Sequence, residues 1–154
     1  MQVPPSPAPK TILLVDDRDD IRVTTKWFFA TFGYMVDSAS NAEEALLLFN
    51  PEVHDLVLTD NSMPGMSGVE MAHVIKLRSA TTPVVMYTGK VPDDRSCLDL
   101  VIERPTHLLA LKEAIEKLVA EKRPDKGARQ AKPGNSPYDD FARNHPQIRP
   151  AASP

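Results

Sequence analysis

The sequence predicts an α/β domain in which a doubly wound parallel sheet of five strands is covered by helices on both faces. Three observations predict it. Short apolar runs, too brief for helices, alternate with segments of helical period along most of the chain. The runs carry little internal polar alternation, as strands buried on both faces should. Thr11–Val15 runs directly into carboxylates, Leu56–Leu58 reaches one after Thr59, and a turn follows the second.

The elements follow in chain order. TILLV at Thr11–Val15 is the first strand, with Asp16-Asp17 after it and Asp19 and Asp20 leading into a helix whose macrodipole favours acids at its start. Ile21, Val23, Thr24, Trp27, Phe28 and Ala30-Thr31 recur at mostly helical spacing up to Gly33, a natural stop. Tyr34 to Ala39 is a short second strand. Ser40-Asn41 caps a helix from Ala42 to Phe49, which Pro51 keeps from continuing. The central stretch DLVLTDNSMPGMSG, Asp55 to Gly68, is a buried strand, the acid Asp60 at its carboxyl end, a Pro64-Gly65 turn, and Ser67 as cap of a helix over Gly68–Arg78. Val69, Ala72 and Val74-Ile75 form that helix's apolar side. Pro83 opens the fourth strand, VVMYT, ending at Thr88-Gly89.

From Lys90 to Asp99, Pro92 and a polar run leave no room for a helix of normal length, so the fourth helix is expected to be short or absent. Leu100-Val101-Ile102 is a minimal fifth strand before Arg104-Pro105. A last helix, capped by Thr106 or His107, keeps Leu108, Leu111, Ile115, Leu118 and Val119 on one face.

The chain of 154 residues, 42% of them hydrophobic, suits one domain with flanking segments. Ten of its fifteen prolines fall in the first nine residues or from Pro124 onward. Residues 1–9 and 123–154 are therefore expected to be disordered and 10–122 to form the domain. The thin basic run Lys122, Arg123, Lys126, Arg129 and Lys132 reads as a solvated linker rather than a nucleic-acid arm. A lone cysteine, Cys97, excludes an internal disulfide and suits a reducing compartment. No apolar run reaches the length of a membrane span, MQVPPSPAPK lacks the core of a secretion signal, and a net charge of −3 gives no general attraction to nucleic acid. A cytoplasmic protein with neither membrane span nor DNA-binding domain is the expectation.

In the flavodoxin-like strand order, 2-1-3-4-5, the first and third strands lie side by side at the topological switch point, and ligands bind in the crevice there. Asp16, Asp17 and Asp60 then meet. Clustered carboxylates repel one another without a cation, and hard oxygen ligands with room for water suit Mg²⁺. Thr88 and Arg104, at the ends of the fourth and fifth strands, face the same crevice with a hydroxyl and a fixed positive charge. Phosphoryl transfer needs this equipment: a carboxylate nucleophile, a metal and cations for the equatorial oxygens, and a donor to hold them.

ILLVDD, DLVLTDNSMPGMSG, VVMYTG and ERP, in this order and covering nearly all of residues 10–122, resemble the receiver domain of two-component response regulators. The resemblance implies that Asp60 is the phosphoacceptor, taking a phosphoryl group from the phosphohistidine of a sensor histidine kinase or a histidine phosphotransfer protein. It implies that Asp17 binds Mg²⁺ directly and Asp16 mainly through water, with the backbone carbonyl of Ser62 as a further ligand. Thr88, followed by Gly89, would be the switch hydroxyl that closes on the phosphate. Three positions depart from the family pattern. The family's lysine before the last proline is Arg104, a planar fork in place of a slim ammonium. The aromatic switch position on the fifth strand is Val101. Thr88 and Arg104 are only 104 − 88 = 16 positions apart, which, with P-x-x-x-x-T-G at Pro83 to Gly89, is similar to atypical single-domain receivers with a reduced fourth helix.

Bland readings win elsewhere. Asp19 and Asp20 read as capping or solvated acids, His54, His73 and His107 as surface or capping residues without partners at ligand spacing, and Trp27-Phe28-Phe29 and Cys97 as core packing. The leading function is a single-domain response regulator that is not an enzyme and signals by protein contact to an unknown downstream partner. The alternatives are a phosphorelay shuttle or phosphate sink, and a degenerate receiver that binds without being phosphorylated. A haloacid-type phosphatase needs an acid two positions after the nucleophile, where Ser62 stands.

Overall fold

The structure is a computed structural model that describes residues 10–121. The expectations for residues 1–9 and 122–154, including the basic run from Lys122, lie outside the described residues. The element order is β1 (Thr11–Val15), α1 (Asp19–Thr31), β2 (Met35–Ala39), α2 (Ala42–Leu48), β3 (Leu56–Thr59), α3 (Gly68–Arg78), β4 (Val84–Thr88), β5 (Leu100–Glu103) and α4 (Leu108–Glu121). All five strands form one parallel sheet in the order β2-β1-β3-β4-β5. Gly89 to Asp99 contains no helix, as the proline and polar run predict.

Alternation along β1 divides the core. Leu13 and Val15 pack with Ala42, Ala45, Met71, Ala72 and Ile75 beneath α2 and α3. Ile12 and Leu14 pack with Phe29, Leu111, Ile115 and Val119 beneath α1 and α4. The helix ends follow local chemistry. Asn41 caps α2 by accepting from the Glu44 N–H, Ser67 caps α3 by accepting from the Glu70 N–H, and Gly33, at φ 89°, takes the left-handed conformation just past α1. Thr106 does not cap α4; its hydroxyl donates to the Glu103 carbonyl, and the His107 carbonyl accepts the first helical N–H, from Leu111.

Three expectations are corrected. On α1 the buried residues are Thr25 and Phe29, with Ile21 and Phe28 half-buried, while Val23 and Trp27 point outward; Trp27 is 73% exposed. Two adjacent apolar stripes satisfy the same helical spacing, and only packing against the sheet selects between them. His54 is buried rather than on the surface. Its ring stacks on Phe49, accepts from the Asn50 N–H and meets Asp37 at 2.8 Å. His73 is also buried, between Cys97 Sγ at 2.9 Å and Asp94 at 2.8 Å.

That contact explains why α3 is buried on nearly all sides from Met71 to Lys76. The segment ending at Asp99 lies where a fourth helix would pack, and it is polar, so α3 meets it with polar groups. His73 holds Asp94 and Cys97; one turn on, Lys76 pairs with Asp99 at 2.6 Å and donates to the Thr82 carbonyl. Cys97 is core packing as expected, its thiol pushed up to about 11 by burial.

Candidate functional site

Ladder hydrogen bonds continue one residue past β3 toward β1 and one residue past β1 toward β2. Val15 pairs with Thr59, the Asp60 N–H donates to the Val15 carbonyl at 3.0 Å, and the Asp16 N–H donates to the Ala39 carbonyl at 3.2 Å. The acids are thus fixed by backbone rather than by their own side chains. One ligand oxygen from each of Asp16, Asp17 and Asp60 lies within 4.8 Å of the others, with Asp16 and Asp60 buried and Asp17 half-buried.

Their hydrogen bonds distinguish them. Asp16 spends one oxygen on the Arg18 N–H at 2.9 Å and turns the other toward Arg104 at 3.4 Å. Asp60 Oδ1 accepts from the Asn61 N–H at 2.7 Å, and its Oδ2 lies 3.3 Å from Arg104. Asp17 Oδ1 is buried with no hydrogen-bond partner. A buried carboxylate oxygen left unsatisfied beside two other acids is a donor that a hard cation would complete, so the residues fit Mg²⁺. The Asp16 carboxyl is held above its ordinary value, first by burial; the Arg18 N–H lowers it, Asp60 raises it, Arg104 lowers it and Asp17 raises it.

Arg104 is engaged on several sides. Its Nη2 donates to the Tyr87 carbonyl at 2.9 Å while facing both Asp16 and Asp60, its guanidinium lies 5.0 Å from the centre of the Tyr87 ring, and its Nε is buried without a partner. The three acids are therefore partly neutralised by the protein itself. Tyr87 is in turn fixed, its hydroxyl donating to the Thr106 carbonyl at 2.7 Å. The Thr88 hydroxyl is buried and exchanges long hydrogen bonds with both the carbonyl and the N–H of Lys90, at 3.2 and 3.3 Å.

Asp17, Arg18, Asp60, Ser62, Thr88, Gly89, Lys90 and Arg104 line one open cleft of about 280 Å³. Every crevice residue named from the sequence lines this cleft or contacts one that does, except Val101. Val101 lies on β5, half-buried and paired with Met86 on β4. A larger groove of about 680 Å³ between α1 and α4, lined by Phe28, His107 and Leu109 among others, contains none of the acids and offers no comparable chemistry.

Sequence reasoning missed Lys90 and Arg18, which the loops bring to the cleft, and Tyr87, which the β4 register sets against Arg104. It also missed why residue 68 is glycine. A Cβ there would sit 2.2 Å from the Asp60 carbonyl oxygen and 3.0 Å from Asn61 Cα, so α3 starts against the backbone that carries Asp60. Gly68→Ala is expected to destabilise the fold by about 1–3 kcal/mol, because main chain must move to make room. Urea unfolding checks it; a stability equal to wild type would show that the loop yields freely.

The chain matches the model of the response regulator receiver domain over residues 12–103. Among curated proteins it is 37% identical over 79 residues to the transcriptional regulatory protein ResD of Bacillus subtilis (strain 168), covering 51% of this chain and 32% of that protein. It is 31% identical over 112 residues to the autoinducer 1 sensor kinase/phosphatase LuxN of Vibrio harveyi, covering 68% of this chain and 13% of that one. The chain thus spans about a third or less of these relatives' length. Among solved structures it is similar to the response regulator protein TrrA from Thermotoga maritima in complex with Mg²⁺-BeF, at 33% identity and a TM-score of 0.65, covering 71% of this chain and 98% of that one. It is also similar, at 34% identity and a TM-score of 0.65, covering 71% and 97%, to a chain of the structure of histidine kinase ThkA in complex with TrrA.

Proposed function

This chain belongs to the response regulator receiver domain family of two-component signalling, and on that premise we propose that it accepts a phosphoryl group on Asp60 from the phosphohistidine of a histidine kinase or histidine phosphotransfer protein. The observation that supports this best is the convergence of Asp16, Asp17 and Asp60 within 4.8 Å, in a cleft that Thr88 and Arg104 also face. In the proposed step a carboxylate oxygen of Asp60 attacks phosphorus, the P–N bond breaks, and its electron pair returns to the imidazole, which takes up a proton. The product is an acyl phosphate.

Asp17 would hold Mg²⁺ directly, since its Oδ1 has no other partner, and Asp16 more remotely, since both of its oxygens are engaged. The Ser62 carbonyl is the further ligand proposed. When bound, the ion supplies charge neutralisation of the acids and of the phosphoryl oxygens. Thr88 would donate its proton to a phosphoryl oxygen in exchange for the weak bond to Lys90, and Arg104 would turn from Asp60 to the new group. Its Nη2 is also held by Tyr87, so a two-pronged grip on the phosphate requires that bond to break.

The further parts of the proposal are a single-domain response regulator in residues 10–122 between proline-rich segments, a cytoplasmic location, and output by contact with a downstream protein rather than by catalysis on another substrate. Among the described residues no helix is long and apolar enough to cross a membrane. A phosphorelay shuttle or phosphate sink is the second reading, favoured by Val101 in place of an aromatic switch residue; rapid back-transfer to the phosphodonor protein would select it.

Incubation with acetyl phosphate, with Mg²⁺ or with EDTA, followed by intact mass, tests the proposal. One added phosphoryl group that requires Mg²⁺ is expected. No uptake under either condition would leave a degenerate receiver acting as a binding module.

The metal assignment has a pH signature. A carboxyl raised above its ordinary value of 3.8, as Asp16 is, contributes stability that is fully present below that value and lost as pH rises through the folded one. Ion and proton compete for the same acids. The rise in Tm produced by Mg²⁺ is therefore expected to grow as pH climbs through that window, approaching about 2.7 kcal/mol of stabilisation at a hundred times Kd, and to vanish in Asp17→Ala. A Mg²⁺ shift that persists in Asp17→Ala would place the ion elsewhere.

A further inference from the structure

We propose that Lys90 is a second cation of the phosphoryl site, an inference that rests on the phosphoacceptor reading of Asp60. Arg104 is only partly available to the group, because its Nη2 is divided among the Tyr87 carbonyl, Asp16 and Asp60. Two other cationic residues line the cleft, Arg18 and Lys90. Arg18 faces Asp20 at 3.8 Å. The Lys90 ammonium forms no ion pair among the described residues, and the residue is exposed.

Lys90 also lies on a stretch of the loop that long-range hydrogen bonds do not anchor among the described residues. Thr88 is fixed at the end of β4, where its carbonyl accepts from the Arg104 N–H at 2.8 Å, and Asp94 is held by His73. Between them, Gly89 to Asp93 carries only short-range bonds, chief among them the Thr88 hydroxyl donating to the Lys90 carbonyl and accepting from the Lys90 N–H. The hydroxyl has one proton. Donating it to a phosphoryl oxygen breaks the bond to the Lys90 carbonyl and leaves only the one from the Lys90 N–H, so the event that places Thr88 on the phosphate also loosens the Lys90 backbone beside it. A long flexible stem ending in a positive charge suits a group that must reach in after release.

Beryllofluoride, a stable mimic of the phosphoryl group, separates a charge role from structural damage. In saturating Mg²⁺, Lys90→Met is expected to weaken its binding about tenfold, the size of one charge-assisted hydrogen bond, with Lys90→Arg staying within about twofold of wild type on the same scale. Mg²⁺ affinity without the anion should be unchanged or tighter in Lys90→Met, because a positive charge has left the cleft. Fluorine NMR of the bound anion and calorimetric titration of Mg²⁺ read the two quantities. Wild-type affinity for beryllofluoride in Lys90→Met would overturn the proposal, as would a parallel loss of Mg²⁺ affinity that Lys90→Arg fails to restore. If wild type binds Mg²⁺ but no beryllofluoride and takes no phosphoryl group from acetyl phosphate, the phosphoacceptor reading itself falls and this inference with it.

Discussion

An Asp60→Asn protein is expected to gain no phosphoryl mass under conditions in which wild type is phosphorylated, a loss of at least a hundredfold in initial rate. The carboxamide keeps the shape of the side chain and can still accept from the Asn61 N–H, as Asp60 Oδ1 does at 2.7 Å. What it loses is the anionic oxygen that faces Arg104 at 3.3 Å and would attack phosphorus. The fold should survive, because the residue is positioned by its backbone bond to Val15 and by the close approach of Gly68. Removing one of three mutually repelling acids should even raise stability in the absence of Mg²⁺. Intact mass and thermal melting of the same sample check both halves. Wild-type phosphorylation of Asp60→Asn would move the acceptor to another acid, and Asp16 and Asp17 are the adjacent candidates.

The acids were legible in the sequence because their position depends on local information alone. Each follows an apolar run of strand length, and parallel strands in the switch-point order bring such ends together without any particular side-chain packing. The missing fourth helix was legible for the same reason: Pro92 and a polar stretch exclude it whatever surrounds them. Residues whose state is decided by distant partners were not legible. His73 reads as a surface or capping residue on α3, and it and Lys76 are buried because the segment after β4 brings Asp94, Cys97 and Asp99 against them. Trp27 reads as core, yet the sheet selects the neighbouring stripe through Thr25 and Phe29. Arg104 reads as a fixed positive charge facing the crevice, and only the β4 register reveals that the Tyr87 ring and carbonyl hold it.

The largest effect on stability is expected at Lys76. Its ammonium is 2.6 Å from Asp99 Oδ2, with side chains only 2% and 9% exposed, and it also donates to the Thr82 carbonyl at 2.7 Å. The same Asp99 oxygen accepts from the Val84 N–H at 2.8 Å, so the pair ties α3 to the start of β4 and to the residue before β5. In Lys76→Met the hydrocarbon stem is replaced at similar volume while the Asp99 carboxylate stays buried without its cation. Breaking a buried pair from one side costs about 3–5 kcal/mol. The damage should be smaller in Lys76→Met with Asp99→Asn, because the amide still accepts from Val84 and no longer carries a charge. Urea unfolding of the two proteins measures the difference. A Lys76→Met cost equal to that of the double variant would show that the buried charge is not what makes the single change harmful. Hydrogen exchange of wild type extends the test: amides near Asp99 should be protected through this anchor, and those from Gly89 to Asp93 should exchange fast until the site is phosphorylated. Equal protection along the whole loop would mean that the pair does not divide it into a fixed and a movable part.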